Sequence, residues 1–326
     1  DPLGAVDRVA MALADLAGAA LEASLNVARR TVNFPGSDIA ATRLAIIGMG
    51  KAGARELNYV SDVDVIFVTE PDGIDADRAV TVATSLAVQT MRGINDLTLE
   101  PGLWEVDANL RPEGKDGALV RTLESHLAYY ERWADSWEFQ ALLKARPLAG
   151  DQELGARYVA GVAPMVWSSA SRENFVASVQ RMRERVTENI PPEERDVQLK
   201  LGRGGLRDIE FTVQLLQLVH GQSDEEVRQT SSLRALIALA EHGYIGRTEA
   251  GEFARDYRFL RLLEHRIQLS RLRRTHLMPR DPDDLRVLAR ATGIATSASD
   301  LTEQWQRTKF AVRRLHERLF YRPLLS

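Results

Sequence analysis

The sequence predicts an α+β protein, a small mixed sheet with helices followed by an all-helical bundle. Three observations carry this. The apolar run 44–47 and the run Asp62-Val-Asp-Val-Ile-Phe67 lie close together and read as two short strands. A third extended run, Leu103 to Arg111, is stopped by Pro112 and Gly114. Beyond Gly117 strand signals nearly vanish and helical spacing dominates.

Taken in order, residues 2–31 are rich in Ala and Leu at helical spacing, and Asn33-Phe-Pro-Gly-Ser37 breaks that pattern. The first strand delivers the turn Gly48-Met-Gly-Lys-Ala-Gly53, and the acidic strand follows. Residues 76–92 return to helix, and a loop over 93–102 leads to the third extended run, in which Asp107, Asn109 and Arg111 are expected on one face. Helices are expected near 122–146, 151–189, 206–220, 232–242, 248–276, 283–291 and 298–320, with Pro191-Pro192 to Gly205 as the best internal break. The expected domains are a helical segment over 1–37, a catalytic domain over 38–150 and a helical bundle over 151–326.

Composition narrows the function classes. With 326 residues and 44% hydrophobic content the chain can hold about two domains. There is no cysteine, which removes disulfides, thiolate nucleophiles and zinc-thiolate sites and makes a reducing cytoplasm the expected setting. No stretch of about eighteen uncharged apolar residues suggests a membrane span, and Asp7, Asp15 and Glu22 do not suit a signal peptide. The missing initiator methionine leads us to expect a piece of a longer protein. Residues 1–150 hold 14 basic against 22 acidic side chains, a net of −8, and the remainder 28 against 24, a net of +4. A general basic footprint for nucleic acid is missing, and the Arg271–Arg274 cluster reads as a solvated helix face or local ion pairs rather than a nucleotide or RNA contact.

The chemistry sits in the acidic strand. Alternate strand residues share a face, so Asp62 and Asp64 point the same way with alpha carbons roughly 6.6 Å apart. Such a pair can share hard divalent cations, and opposite a glycine turn it suits metal-assisted phosphoryl or nucleotidyl transfer. An acid on a neighbouring strand, Asp107, would complete a two-metal site. The turn matches G-x-G-x-x-G, but only Ala54 to Ser61 separate its last glycine from the acidic strand, too few for a Rossmann crossover. A short helix or an antiparallel return fits the space instead. Position 68, where a ribose-binding acid would lie, is Val, although Glu70 is near. No P-loop occurs at Lys51, the six histidines form no H-x-x-x-H pair, and Ser61 lacks a nucleophile elbow.

Two further groups carry polar side chains at suggestive spacing. On the apolar helix after Gly205, Arg207, Glu210, Gln214 and Gln217 form one stripe that faces either a polar cleft or an internal seam, with Arg207 the candidate anion ligand. Lys144 shares a face with Trp137 and Gln140 and either reaches a phosphate or makes a surface salt bridge.

Five blocks in order, Gly48-Met-Gly-Lys51, Glu56-Leu-Asn-Tyr-Val-Ser-Asp-Val-Asp64, Val106-Asp-Ala-Asn-Leu-Arg-Pro112, Trp137-Glu138 with Lys144-Ala-Arg146, and Lys200-Leu-Gly-Arg-Gly-Gly-Leu-Arg-Asp-Ile-Glu-Phe211, resemble glutamine synthetase adenylyltransferase, a bifunctional adenylyl-transferring and adenylyl-removing family. The likeness runs from about residue 40 to the end. It implies a nucleotidyltransferase-fold domain followed by a helical bundle, in a protein built of two such halves with opposite activities. The segments Tyr257 to His265 and Thr275 to Pro279 are more similar to the N-terminal, adenylyl-removing half. The implied reaction is phosphorolysis of AMP-tyrosine on glutamine synthetase, giving ADP. The alternatives are adenylylation from ATP and a non-catalytic regulatory module.

By the same resemblance Asp62, Asp64 and Asp107 hold two Mg²⁺, Gly48 and Gly50 admit phosphates to the backbone, Ser61 and Lys51 assist, and Arg111, Lys144 or Arg207 holds incoming phosphate. The implied partners are adenylylated glutamine synthetase, phosphate, ADP or ATP, and a nitrogen-signalling regulatory protein. Two positions depart from the family pattern: Ala54-Arg55 replaces a usual glycine, and Asn109 stands where an arginine is common.

Overall fold

The computed structural model describes residues 1–96 and 102–321, and the chain forms two compact units. One comprises residues 11–57 and 61–167, the other residues 1–10, 58–60 and 168–326. The division thus falls after Trp167, not after Gly150 as expected. The reason is visible in the helix Gln152–Ser168, whose Tyr158 hydroxyl bonds Tyr130 at 3.0 Å and whose Arg157 reaches Glu70 at 2.6 Å. Both partners belong to the sheet-bearing unit.

That mixed unit runs α1 (Pro2–Thr31, from Met11 onward), α2 (Gly36–Ala40), β1 (Thr42–Gly48), α3 (Gly50–Gly53), β2 (Asp62–Pro71), α4 (Ala76–Asn95), β3 (Glu105–Asp107), β4 (Val120–Thr122), α5 (Leu123–Arg132), α6 (Ser136–Leu142), β5 (Arg146–Gly150) and α7 (Gln152–Ser168). β1 pairs antiparallel with β2 and with β5. This antiparallel return over α3 excludes the Rossmann alternative. One edge of β2 is shared by two short parallel strands: β3 lies along Asp62–Asp64 and β4 along Phe67–Thr69. Leu44, Ile46, Val65 and Phe67 of the sheet bury their side chains with Leu21 and Leu25 of α1 and Val82 and Leu86 of α4.

By length and composition α1 is apolar enough to cross a membrane. The reading of no such span rested on an uninterrupted uncharged run, which α1 lacks. Its residues Ala14, Ala17, Leu21, Leu25 and Ala28 are buried in the core of the mixed unit, as in an amphipathic core helix.

Three sequence expectations change here. The third extended run is a strand only over Glu105–Asp107; Asn109 and Leu110 lie in a turn, so Asp107, Asn109 and Arg111 do not share a strand face. The expected helix over 122–146 is two helices, because Glu138 accepts from the Asp135 amide at 2.8 Å and starts α6 anew. Arg146–Gly150 is the edge strand β5, on which Pro147 is tolerated beside a register shift at Ile46/Ile47. Of the expected loop over 93–102, residues 93–95 close α4 and residues 97–101 lie outside the described residues.

The helical unit contains α8 (Phe175–Glu188), α9 (Leu206–His220), α10 (Ser232–Glu241), α11 (Arg247–Arg271), α12 (Pro282–Thr292) and α13 (Ala298–His316). Its core gathers Ile209, Val213 and Leu216 of α9 with Leu236, Phe253, Leu260, Trp305 and Leu315. Buried charge is built into this core. Arg183 donates to Asp208 at 2.7 Å and to the Leu201 carbonyl at 3.1 Å, while the Gly204 amide donates to Asp208 at 2.6 Å. On α11, Arg261 and Glu264 pair at 2.6 Å, and the segment Asn58–Val60 belongs to this unit, with Asn58 accepting from Arg261.

Candidate active site

Three acids meet at one end of the mixed unit's sheet. Asp62 and Asp64 are both on β2, and the parallel pairing sets Asp64 opposite Asp107 of β3. One carboxylate oxygen from each lies within 4.8 Å of the others, and all three residues are half-buried. Neighbouring carboxylates repel, and hard divalent cations relieve that repulsion while accepting all-oxygen ligands. The donor set therefore fits Mg²⁺ or Mn²⁺ by its chemistry.

Local contacts orient the acids. The Asn109 amide donates to Asp107 Oδ1 at 2.7 Å, closing an Asx-turn at the end of β3. Ser61 donates to Asp62 Oδ1 at 3.4 Å, so the serine stands beside the first acid. The Met49 amide donates to the Asp64 carbonyl at 2.8 Å and so ties the glycine turn to β2. Gly50 takes a φ of +48°, and a Cβ there would stand 2.3 Å from Asp64 Oδ2. The turn can approach the carboxylate this closely only because position 50 lacks a side chain.

The other expected ligands fall into distinct places. Gly48 pairs within the sheet opposite Val65 and Arg146, with Leu148 close behind it. Lys51 lies in α3, the four-residue helix that begins at Gly50. Lys144 is 5% exposed, and its carbonyl sits where a Cβ on Gly53 would be, 1.9 Å away. It is a buried residue behind the turn. Arg146 supports the same turn, donating to the carbonyls of Ala52 and Gly53 at 3.0 Å each.

Arg111 points its donors inward. Its guanidinium bonds the carbonyls of Ala108 at 2.9 Å, Lys115 at 2.9 Å and Gly117 at 3.0 Å. Burial lowers its pKa, and the nearby Asp107 charge acts in the opposite sense. These carbonyl bonds use three of the five donors of the fork expected to hold phosphate. Arg207 belongs to the helical unit and pairs with Glu210 at 3.2 Å. Along the α9 stripe Glu210, Gln214 and Gln217 are buried, and Gln217 donates to the carbonyls of Val227 and Gln229. Sequence reading overlooked Asn109 as an orienting group, although Asp-Ala-Asn is an Asx-turn signal.

A short glycine turn, a mixed sheet and three acids on adjacent strands define a nucleotidyltransferase-type site. The comparisons agree. A family model described as Glutamate-ammonia ligase adenylyltransferase matches residues 2–160, and one described as GlnD PII-uridylyltransferase matches residues 180–320. Proteins named bifunctional glutamine synthetase adenylyltransferase/adenylyl-removing enzyme are similar over the whole chain: 70% identical in Leifsonia xyli subsp. xyli and 58% in Streptomyces avermitilis, each match covering 100% of this chain and 33% of the relative. The protein of that name from Mycobacterium bovis is 54% identical over 98% of this chain and 31% of its own length. The chain belongs to this bifunctional adenylyltransferase/adenylyl-removing family. It spans about a third of the length of the curated relatives it matches.

Proposed function

We propose that this chain removes AMP from the adenylylated tyrosine of glutamine synthetase by phosphorolysis. An oxygen of inorganic phosphate attacks the AMP phosphorus, the bond from phosphorus to the tyrosine oxygen breaks, and the products are ADP and the free tyrosine. The observation that carries this reading is the convergence of Asp62, Asp64 and Asp107 within 4.8 Å, in a chain of a nucleotidyl-transferring family. The direction rests on the likeness of the Tyr257–His265 and Thr275–Pro279 segments to the adenylyl-removing half.

The three carboxylates would hold two Mg²⁺, and the chemistry these would supply is neutralisation of charge on the phosphoryl oxygens. Asp62 and Asp64 work from one face of β2, and Asp107 closes the set from β3. The turn approaches Asp64 closely at Gly50, and Gly48, Gly50, Lys51 and Ser61 are the groups this reading assigns to a nucleotide phosphate. Phosphate is already ionised at neutral pH, so no general base is assigned. Two anions must be brought together, and positioning with charge neutralisation does most of the work.

The test incubates AMP-modified glutamine synthetase with the chain, Mg²⁺ and phosphate and follows ADP. Expected is phosphate-dependent ADP formation that Asp62→Asn abolishes. Label transfer from ATP to the unmodified synthetase, with no ADP formed from the modified one, would establish the reverse reaction instead.

A further inference from the structure

The geometry points to Arg111 as the positioning residue for the third acid, through closure of the loop that leaves β3; this rests on the metal-site reading above. β3 pairs with β2 on one side over three residues only, ending at Asp64↔Asp107. β4 rejoins the same edge of β2 at Phe67↔Val120. Along β2 those two positions are three residues apart, roughly 10 Å at about 3.3 Å per residue. The intervening chain, Ala108 to Leu119, must leave the sheet and return almost to its starting point.

Arg111 ties the two ends of that excursion together. Its Nη1 holds the Ala108 carbonyl, next to Asp107, while Nε and Nη2 hold the Gly117 and Lys115 carbonyls on the returning limb. The loop is closed tightly enough to require special backbone: Glu113 and Gly114 have φ of +62° and +59°, and a Cβ on Gly117 would stand 2.1 Å from the Pro112 carbonyl. The Asx-turn from Asp107 to Asn109, which aims the carboxylate, straddles the start of the tied segment at Ala108. A planar fork with several fixed donors can reach three carbonyls at once; an ammonium group on a flexible stem cannot reproduce that pattern. Arg111 thus acts on the metal centre through Asp107.

Mn²⁺ binding followed by electron paramagnetic resonance, with the chain alone, tests this. Expected is a loss of affinity of roughly 10–100-fold in Arg111→Lys, the size seen when groups supporting a metal ligand are removed. Gly117→Ala, which strains the same loop without touching a charge, weakens Mn²⁺ in the same sense. In the phosphorolysis assay the Mg²⁺ requirement rises in both variants while KM for phosphate stays put. Arg111→Lys with unchanged Mn²⁺ affinity, or with a raised KM for phosphate as its main defect, would overturn the inference and return Arg111 to phosphate binding. Should Arg111→Lys fail to fold by circular dichroism, Gly117→Ala decides on the same readout. Asp62→Asn is the control: wild type binding no more Mn²⁺ than Asp62→Asn would sink the metal-site reading itself, and the inference with it.

Discussion

The two units treat acidic side chains in opposite ways. In the helical unit two fully buried acids are each set against a buried arginine: Asp208, 2% exposed, bonds Arg183, and Glu264, 0% exposed, bonds Arg261. In the mixed unit three acids are half-buried and set against one another at the end of two strands. Burying an ion pair costs desolvation that the pairing offsets, so the first arrangement belongs to the fold. Gathering like charges costs energy, and we assign the second arrangement to function.

The largest effect expected from this contrast is on activity. Asp64→Asn removes one of the converging charges and lowers the rate of the proposed phosphorolysis on the order of a thousandfold, the equivalent of several kcal/mol of transition-state stabilisation. Its melting temperature without metal stays level or rises, because repulsion is relieved. A marked loss of stability in metal-free Asp64→Asn would break the comparison, for it would give the triad a structural role.

In the helical unit the signs reverse. Arg183→Met leaves Asp208 buried without its guanidinium, which costs about 3–5 kcal/mol in urea unfolding. Adding Asp208→Asn removes the stranded charge, so the double variant is more stable than Arg183→Met alone. Equal stability of the two would mean that Asp208 is not held by its pairing.

How much of this was legible in the sequence follows from where each signal lies. β1, β2 and the acid pair are local patterns, an apolar run and a strict alternation, and the structure has them where those patterns place them. Asp107 was legible from alternation too, but Arg111 was not: its spacing matches a strand face only if the strand continues, and β3 stops at Asp107. β4 and β5 are strands because β2 and β1 offer them edges, and neither Val120-Arg-Thr122 nor Arg146-Pro-Leu-Ala-Gly150 announces that alone. The polar stripe of α9 was correct as a stripe, yet periodicity cannot say whether a polar face meets water or buried carbonyls, and Gln217 meets the carbonyls of Val227 and Gln229. The Asp135–Glu138 start of α6 and the Asp-Ala-Asn turn after β3 were readable signals left unread.

The smallest of these effects concerns an ionisable group that the mixed unit keeps neutral. His126 is buried with its Nε2 3.3 Å from the Phe67 carbonyl on β2, edge-on to Tyr158, and burial pushes its pKa down to about 4 from 6.5. Between those values the unfolded chain binds a proton that the folded chain refuses, so stability is full above about pH 6.5 and falls as the pH drops toward 4. A shift of this size corresponds to about 3 kcal/mol at its limit. His126→Gln, which retains a donor for the Phe67 carbonyl and does not titrate, flattens that part of the stability profile while lowering stability at neutral pH through imperfect packing. If the acid limb of the unfolding curve were the same in both proteins, the sheet would tolerate a charge beneath it, and the contrast drawn between the units would hold for carboxylates alone.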